Sequence, residues 1–253
     1  MTVYSTKKQF EEIARYLTAY MRIPYFQDDN IPGKVMEKIF SLVRKAEQLN
    51  TYDYVDVVIR NEVGWQIKST KSSTPLTWKR AKIKNSNMLI KKSEESEIDR
   101  QNLGNSIIDF CNKHAEDSMK KYKLKKIGYS RLIMLDNNIA IYFEREVCAK
   151  EYPIIFEKNN FTWKWSKEKN TKGKEQLPAL HGTDLKNNQK AFSWHGRGEN
   201  QLHFSGERYW WPKIEMPSQE GEIKFSEDCH AISFTLPTDK VDWVELTNFL
   251  NRS

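Results

Sequence analysis

The sequence has few of the features that would place it outside an ordinary cytoplasm. Its three cysteines, Cys111, Cys148 and Cys229, are scattered and form no CxxC pair. Neither a zinc cluster nor a disulfide scaffold is expected, and a reducing compartment fits. No apolar run approaches the roughly 18 residues needed to span a bilayer. The opening residues, MTVYSTKKQF, hold no apolar signal core. The expectation is a cytoplasmic protein, neither secreted nor integral to a membrane. Internal repeats and low-complexity linkers are also absent. With 38% hydrophobic, 30% charged and 12% aromatic residues, the chain is polar for a globular protein but too aromatic for a disordered one. Its 253 residues suffice for one large or two small domains.

What the chain does have is positive charge, unevenly spread. Lys plus Arg number 41 against 34 Asp plus Glu, a formal net charge of +7. Residues 1–60 hold 9 cations and 8 acids, residues 61–126 hold 15 and 8, and residues 127–253 hold 17 and 18. The surplus lies in the middle segment. It suits a polyanionic partner, a solvated helical face being the plainer alternative.

Periodicity gives the organisation. Phe10, Ile13, Ala14, Leu17 and Met21 predict a helix over 6–21, and Val35, Ile39, Leu42, Val43, Ala46 and Leu49 a second over 33–49. Between them FQDDNIPG reads as a turn-rich loop. The period then changes. YVDVVIR (54–60) and GWQIKST (64–70) read as strands joined by a hairpin turn. Helical spacing returns over 94–123, followed by strands at 127–135 and 139–145. Beyond about 150, short strands at 153–156, 161–165, 191–194, 201–204 and 231–236 alternate with polar loops, and a last helix is expected over 241–251. Six of the eight tryptophans lie beyond residue 160. The expected organisation is 1–150 with the N-terminal helices and a mixed sheet, and 151–253 as a β-rich, Trp-rich region that is either separate or part of a single domain.

The first hairpin carries the chemistry. Gln66 and Lys68 are two apart and share one side of a strand, and Asp56 on the neighbouring strand can share that side. A carboxylate, an amide oxygen and an ammonium would then converge, a set suited to phosphodiester hydrolysis. Mg²⁺ takes oxygen ligands and keeps several waters. Asp56 would anchor it, Gln66 Oε1 and the Ile67 carbonyl would add neutral ligands, and Glu37 on the preceding helix would add a second carboxylate. Lys68 would assist the attacking water or stabilise transition-state charge. The plain alternative is a cross-strand ion pair on a solvated face.

The helix with Glu37, then YVDVVI, a short turn and WQIK, resembles the core of the PD-(D/E)xK nucleases, within which the chain is most similar to the type II restriction endonucleases. Asp56, Gln66 and Lys68 match the family's acid and (D/E/Q)xK positions, and Glu37 matches the helix acid of many members. The resemblance covers about residues 30–145. It implies an α+β fold with a mixed central sheet flanked by helices, and a Mg²⁺-dependent endodeoxyribonuclease acting on double-stranded DNA. It also implies a possible homodimer and a functional link to a cognate DNA methyltransferase. Two departures stand out. Tyr54-Val55 replaces the proline of the motif, and Gln66 replaces the acid, which leaves one fewer charge for the metal. The alternatives are a non-catalytic nucleic-acid-binding module and a repair or junction nuclease of the same fold.

DNA-facing residues are expected in two places. After Lys68 come Ser69, Thr70 and Lys71, then Thr77, Trp78, Lys79 and Arg80, small hydroxyls and cations suited to phosphate. Thr77 is expected to cap a short helix carrying the last three. The second place is the loop with His195, Arg197, Asn200 and Gln201, whose Arg, Asn and Gln side chains suit base edges. The plain alternatives are a polar loop and a hairpin turn using Gly196 and Gly198 for positive φ. Core packing is the favoured reading of Trp163, Trp165, Trp210 and Trp211.

Overall fold

A computed structural model describes residues 2–23, 30–50, 52–171, 174–242 and 244. In chain order the elements are α1 (Lys7–Met21), α2 (Gly33–Arg44), β1 (Glu47–Gln48), β2 (Val57–Ile59), β3 (Val63–Lys71), β4 (Thr77–Arg80), α3 (Ser86–Glu95), α4 (Glu97–Tyr122), β5 (Lys126–Met134), β6 (Ile139–Ala149), β7 (Phe161–Trp165), β8 (Lys169–Thr171), β9 (Lys174–Gln176), β10 (Leu180–Asp184), β11 (Gln189–Trp194), β12 (Gln201–Phe204), β13 (Ile223–Ser226) and β14 (Ala231–Thr235). The protein is a mixed α and β chain with sheets of seven and five strands, plus the β8–β9 pair. Among the described residues no helix is long and apolar enough to cross a membrane.

The chain forms two compact units that interleave in sequence: Met1–Thr74, Ser118–Lys150 and Pro212–Ser253 in the first, Pro75–Asp117 and Glu151–Trp211 in the second. A single boundary near 150 is therefore one of four crossings. The physical reason is β4, which pairs with β12 some 120 residues later and so belongs with the strands that follow 150.

In the first unit α1 and α2 form where apolar residues recur at helical spacing. The Thr6 side chain caps α1, and Gln9 completes a capping box. The α2 helix stops at Arg44 rather than 49, because Lys45 takes a left-handed conformation (φ 52°) and Glu47–Gln48 pair with Val58 and Val57. The sheet order is β1-β2-β3-β5-β6-β14-β13. Every pairing is antiparallel except β3 with β5. Phe10, Leu17, Ile39 and Phe40 pack on one sheet face against Val57, Trp65, Ile67, Leu132 and Tyr142. Burying each such side chain is worth about 1.5–3 kcal/mol. Strand alternation then puts Gly64, Gln66, Lys68 and Thr70 on the opposite face.

A buried polar network ties the N-terminal segment to this sheet. Glu144 accepts from the Ser5 N–H (2.7 Å), the Ser5 hydroxyl (2.6 Å) and the Tyr142 hydroxyl (2.7 Å). Arg44 lies 3.8 Å from Glu144, donates to Ser5 Oγ (3.0 Å) and the Thr2 carbonyl (3.1 Å), and stacks over the Trp65 ring.

The second unit holds the antiparallel sheet β4-β12-β11-β10-β7. One face is aromatic. Phe192 and Phe204 stack with centroids 4.7 Å apart, and Trp78 meets Phe204 edge-on at 5.3 Å. Trp163 is buried here, as expected of a core residue, and Trp210 packs on Trp78. A Cβ on Gly104 of α4 would lie 2.1 Å from Trp163 Cγ, so only glycine fits.

Several local expectations differ from the structure. Thr77–Arg80 is a strand, not a capped helix, because β12 supplies its ladder. Residues 153–156 form no strand, and α3 precedes the long helix, which starts at Glu97. The strands β1, β8, β9, β10 and β13 were not anticipated. The β11–β12 connection is a turn, but Gly196 and Gly198 do not have positive φ; Asn200 does, at 56°. Gly196 is required because a Cβ there would meet the Trp194 indole at 2.2 Å. Most of the helix expected over 241–251, and residues 26–29 of the turn-rich loop, lie outside the described residues.

Candidate active site

The site is built where the β2–β3 ladder ends. Asp56 directly precedes β2. Its N–H donates to the Trp65 carbonyl (2.8 Å) and its carbonyl accepts from Leu49 (2.8 Å). Its carboxylate then takes over from the backbone: Oδ2 accepts the Ile67 N–H at 2.7 Å. N–H and C=O of one strand residue point to the same side, so the Ile67 carbonyl is directed to the side on which Asp56 lies. The segment is anchored further back by Asp53, which accepts from Lys121 (2.7 Å) and the Tyr122 hydroxyl (2.5 Å).

Gln66 is almost fully buried and Lys68 half-buried, both on the face away from α1 and α2. Burial pushes the Lys68 ammonium below the usual lysine value. The Asp56 carboxylate opposes that shift, Arg131 adds to it, and Glu37 opposes it. Lys68 thus lies within electrostatic reach of these three charges. Glu37 is buried on α2, paired with Lys34 (2.6 Å) and accepting from Gln48 Nε2 (3.0 Å). The hairpin thus carries Asp56, Gln66 and Lys68, while Glu37 is held on α2 by Lys34 and Gln48 and acts on Lys68 through its charge.

Arg131 is a site residue that the hairpin motif does not reveal. It is the β5 partner of Lys68 in the parallel register, only 1% exposed, and donates to Thr70 Oγ1 (2.8 Å) and the Leu132 carbonyl (3.0 Å). Its signal in the sequence is a lone cation inside the apolar strand IGYSRLIML.

The expected DNA-facing residues fall in both units. In the first, Ser69, Thr70 and Lys71 extend β3 rather than forming a loop. Ser69 Oγ donates to the Ile31 carbonyl (2.7 Å), and Thr70 Oγ1 to the Lys71 carbonyl (3.1 Å). In the second, Trp78 is fully buried among aromatic rings, which removes its indole from any base. Lys79 is half-buried beside Cys111, whose thiol burial pushes up to about 12. Thr77 Oγ1 lies 3.4 Å from His203 Nδ1. Arg80 and Gln201 both meet Glu199, the former at 3.9 Å. Arg197 pairs with Glu94 and stacks on Trp165. The Asn200 carbonyl accepts from Ala81 (2.8 Å), and His195 is exposed.

The fold also redistributes the charge. The first unit carries 23 Lys/Arg and 20 Asp/Glu, a net of +3, and the second 18 and 14, a net of +4. The surplus of residues 61–126 is thus divided between the two units.

Among the described residues no three His, Cys, Asp or Glu side chains form a group able to hold a metal. This includes His181, His195 and His203. The hairpin instead offers one carboxylate, one amide and one backbone carbonyl, oxygen donors of the kind a hard, water-rich cation accepts. No protein-family model, curated protein or solved structure matches the chain.

Proposed function

We propose that this chain is a Mg²⁺-dependent endonuclease of the PD-(D/E)xK type that cuts double-stranded DNA at specific sequences. The observation that carries the reading is the hairpin itself. A carboxylate fixed by the Ile67 N–H stands beside a half-buried lysine whose charge is felt by Asp56, Glu37 and Arg131. An ordinary solvated ion pair would not need a lysine shifted downward by burial.

Asp56, Gln66 and the Ile67 carbonyl would hold the metal. When bound, Mg²⁺ would lower the pKa of a coordinated water and neutralise charge on the scissile phosphate. The hydrogen bond to Ile67 fixes the Asp56 carboxylate before any ligand arrives, which lowers the ordering cost of binding. Lys68, losing its proton more readily than an exposed lysine, suits general-base work on the attacking water; in its charged form it suits the developing charge on the phosphate. Arg131 and Glu37 set the electrostatic surroundings of that amine. Two copies related by a two-fold axis would cut both strands of a palindrome.

The test is digestion of phage DNA by the purified chain with Mg²⁺. Discrete fragments are expected. A smear, or cuts only at branched structures, would instead mark a repair or junction nuclease. Binding without any cleavage would mark a non-catalytic module and remove the proposed chemistry.

A further inference from the structure

The five-stranded sheet of the second unit has two unlike faces. One is the aromatic core. Across the other, the register aligns a single row: Lys164 of β7 opposite His181 of β10, His181 opposite Ser193 of β11, Ser193 opposite His203 of β12, and His203 opposite Thr77 of β4. Lys164 is exposed and the other four are half-buried, whereas Leu180, Trp194 and Leu202 on the alternate positions are buried. With strands about 4.8 Å apart, four steps make a polar row about 19 Å long. The bulge between β10 and β11 brings Lys190 opposite Thr183, beside this row.

The charge of these strands is one-sided. Their residues include Lys79, Arg80, Lys164 and Lys190 but a single carboxylate, Asp184. That carboxylate is engaged in the β10–β11 turn, accepting from the Lys186 N–H (2.8 Å) and Asn187 Nδ2 (3.3 Å). Partial desolvation of its ring, then the charge of Lys190, holds His195 below the usual histidine value although the residue is exposed. His203 is lowered in the same way, by burial, then His195, then Lys190. At neutral pH His203 therefore serves as a neutral hydrogen-bonding group, and Lys164 and Lys190 supply the charge beside it. Hydroxyls, imidazoles and lysine ammonium groups in a row are phosphate-binding chemistry.

We infer that this polar sheet face, with Lys164 and Lys190 as its charges and Thr77, His181, Ser193 and His203 as its hydrogen-bonding row, is a docking surface for the phosphate backbone of DNA. The choice of DNA as the polyanion rests on the nuclease reading; the face itself rests on the sheet register and on charge complementarity. It is distinct from the Arg197–Gln201 turn, whose Arg and Gln side chains are occupied by Glu94 and Glu199.

The test uses the full chain carrying Asp56→Asn, a labelled duplex and Ca²⁺, over a range of salt concentrations. Lys164→Glu with Lys190→Glu replaces two exposed cations, so folding is retained. The pair is expected to weaken binding at low salt at least about 10-fold and to reduce the slope of log affinity against log salt by about 2. An unchanged slope, or an equal loss from the control pair Lys91→Glu and Lys92→Glu on α3, would overturn the assignment. If the unsubstituted chain cuts DNA but the sheet variant binds normally, the face is wrong and the nuclease reading stands. If nothing cuts but the sheet variant selectively loses binding, the face stands and the nuclease reading falls.

Discussion

Asp56→Asn is expected to lower Mg²⁺-dependent DNA cleavage by about 10³-fold or more while leaving the fold intact. The asparagine oxygen still accepts the Ile67 N–H, so the hairpin keeps its closing bond and loses only a negative charge. Alanine would be a poorer test, since an orphaned buried N–H costs about 1–3 kcal/mol by itself. Lys68→Ala is expected to cost about 10²–10⁴-fold, the range for a positioned general acid or base. Both variants should still bind DNA in Ca²⁺, because neither touches the polar sheet face of the second unit, and the charge that Lys68 would stabilise develops only during cleavage. Single-turnover cleavage, Ca²⁺-supported binding and thermal unfolding, measured side by side, separate chemistry from folding. An Asp56→Asn protein that cuts at the unsubstituted rate would remove Asp56 from the site.

Arg44→Met should carry a large stability cost. The guanidinium is the cation nearest to Glu144, a carboxylate that is 2% exposed. Removing one partner of a buried pair costs about 3–5 kcal/mol, because the other is left uncompensated. At about 2–4 °C per kcal/mol for a chain of this size, the melting temperature should drop by about 10 °C. The effect should depend on pH in a defined direction. Burial, partly offset by Arg44, Ser5 and Tyr142, holds the Glu144 carboxyl above its ordinary value. The folded protein then keeps this proton more tightly than the unfolded chain does. Stability contributed by the group is complete below the ordinary carboxyl value and falls as pH rises toward the raised one. Glu144→Gln, which cannot ionise, should flatten that fall. Arg44→Met should lose more stability near pH 8 than near pH 5, as protonation spares the buried charge. A loss independent of pH would mean that Arg44 acts through packing on Trp65 and Phe40 alone.

The parts of the fold that were readable from sequence are those set by local periodicity. The α1 helix, expected over 6–21, spans Lys7–Met21, because its five buried residues lie on one stripe and a capping box marks its start. The β5–β6 pair was readable from two apolar runs around Asp136-Asn137-Asn138; the structure extends β6 to Ala149. What failed depends on partners distant in sequence. Nothing local distinguishes Thr77–Arg80 as a strand; only β12 does. The early end of α2 likewise follows from the pairing of Glu47–Gln48 with β2. At the site, the shared side of Gln66 and Lys68 followed from alternation, but the bond from Ile67 to Asp56 did not. It exists because β2 pairing begins one residue later, a register fact. Arg131 and Glu144 were invisible as functional or structural charges because an apolar strand pattern treats a single cation or acid as an interruption. Both stand in strands whose neighbours are buried, and that contrast is the signal to look for.

Gln66 is the position where this hairpin departs most from an acidic metal site, and it gives the most direct measurement. Single-turnover cleavage of a duplex would be followed across Mg²⁺ concentrations for the unsubstituted chain and for Gln66→Glu. If Asp56, Gln66 and Ile67 hold the metal, both proteins cut, and the added carboxylate lowers the half-saturating Mg²⁺ concentration by about tenfold, the effect of one further interaction of about 1.4 kcal/mol. Cleavage with the same Mg²⁺ dependence in both proteins, or no cleavage by the unsubstituted chain at any Mg²⁺ concentration, would contradict a metal-dependent centre at this hairpin.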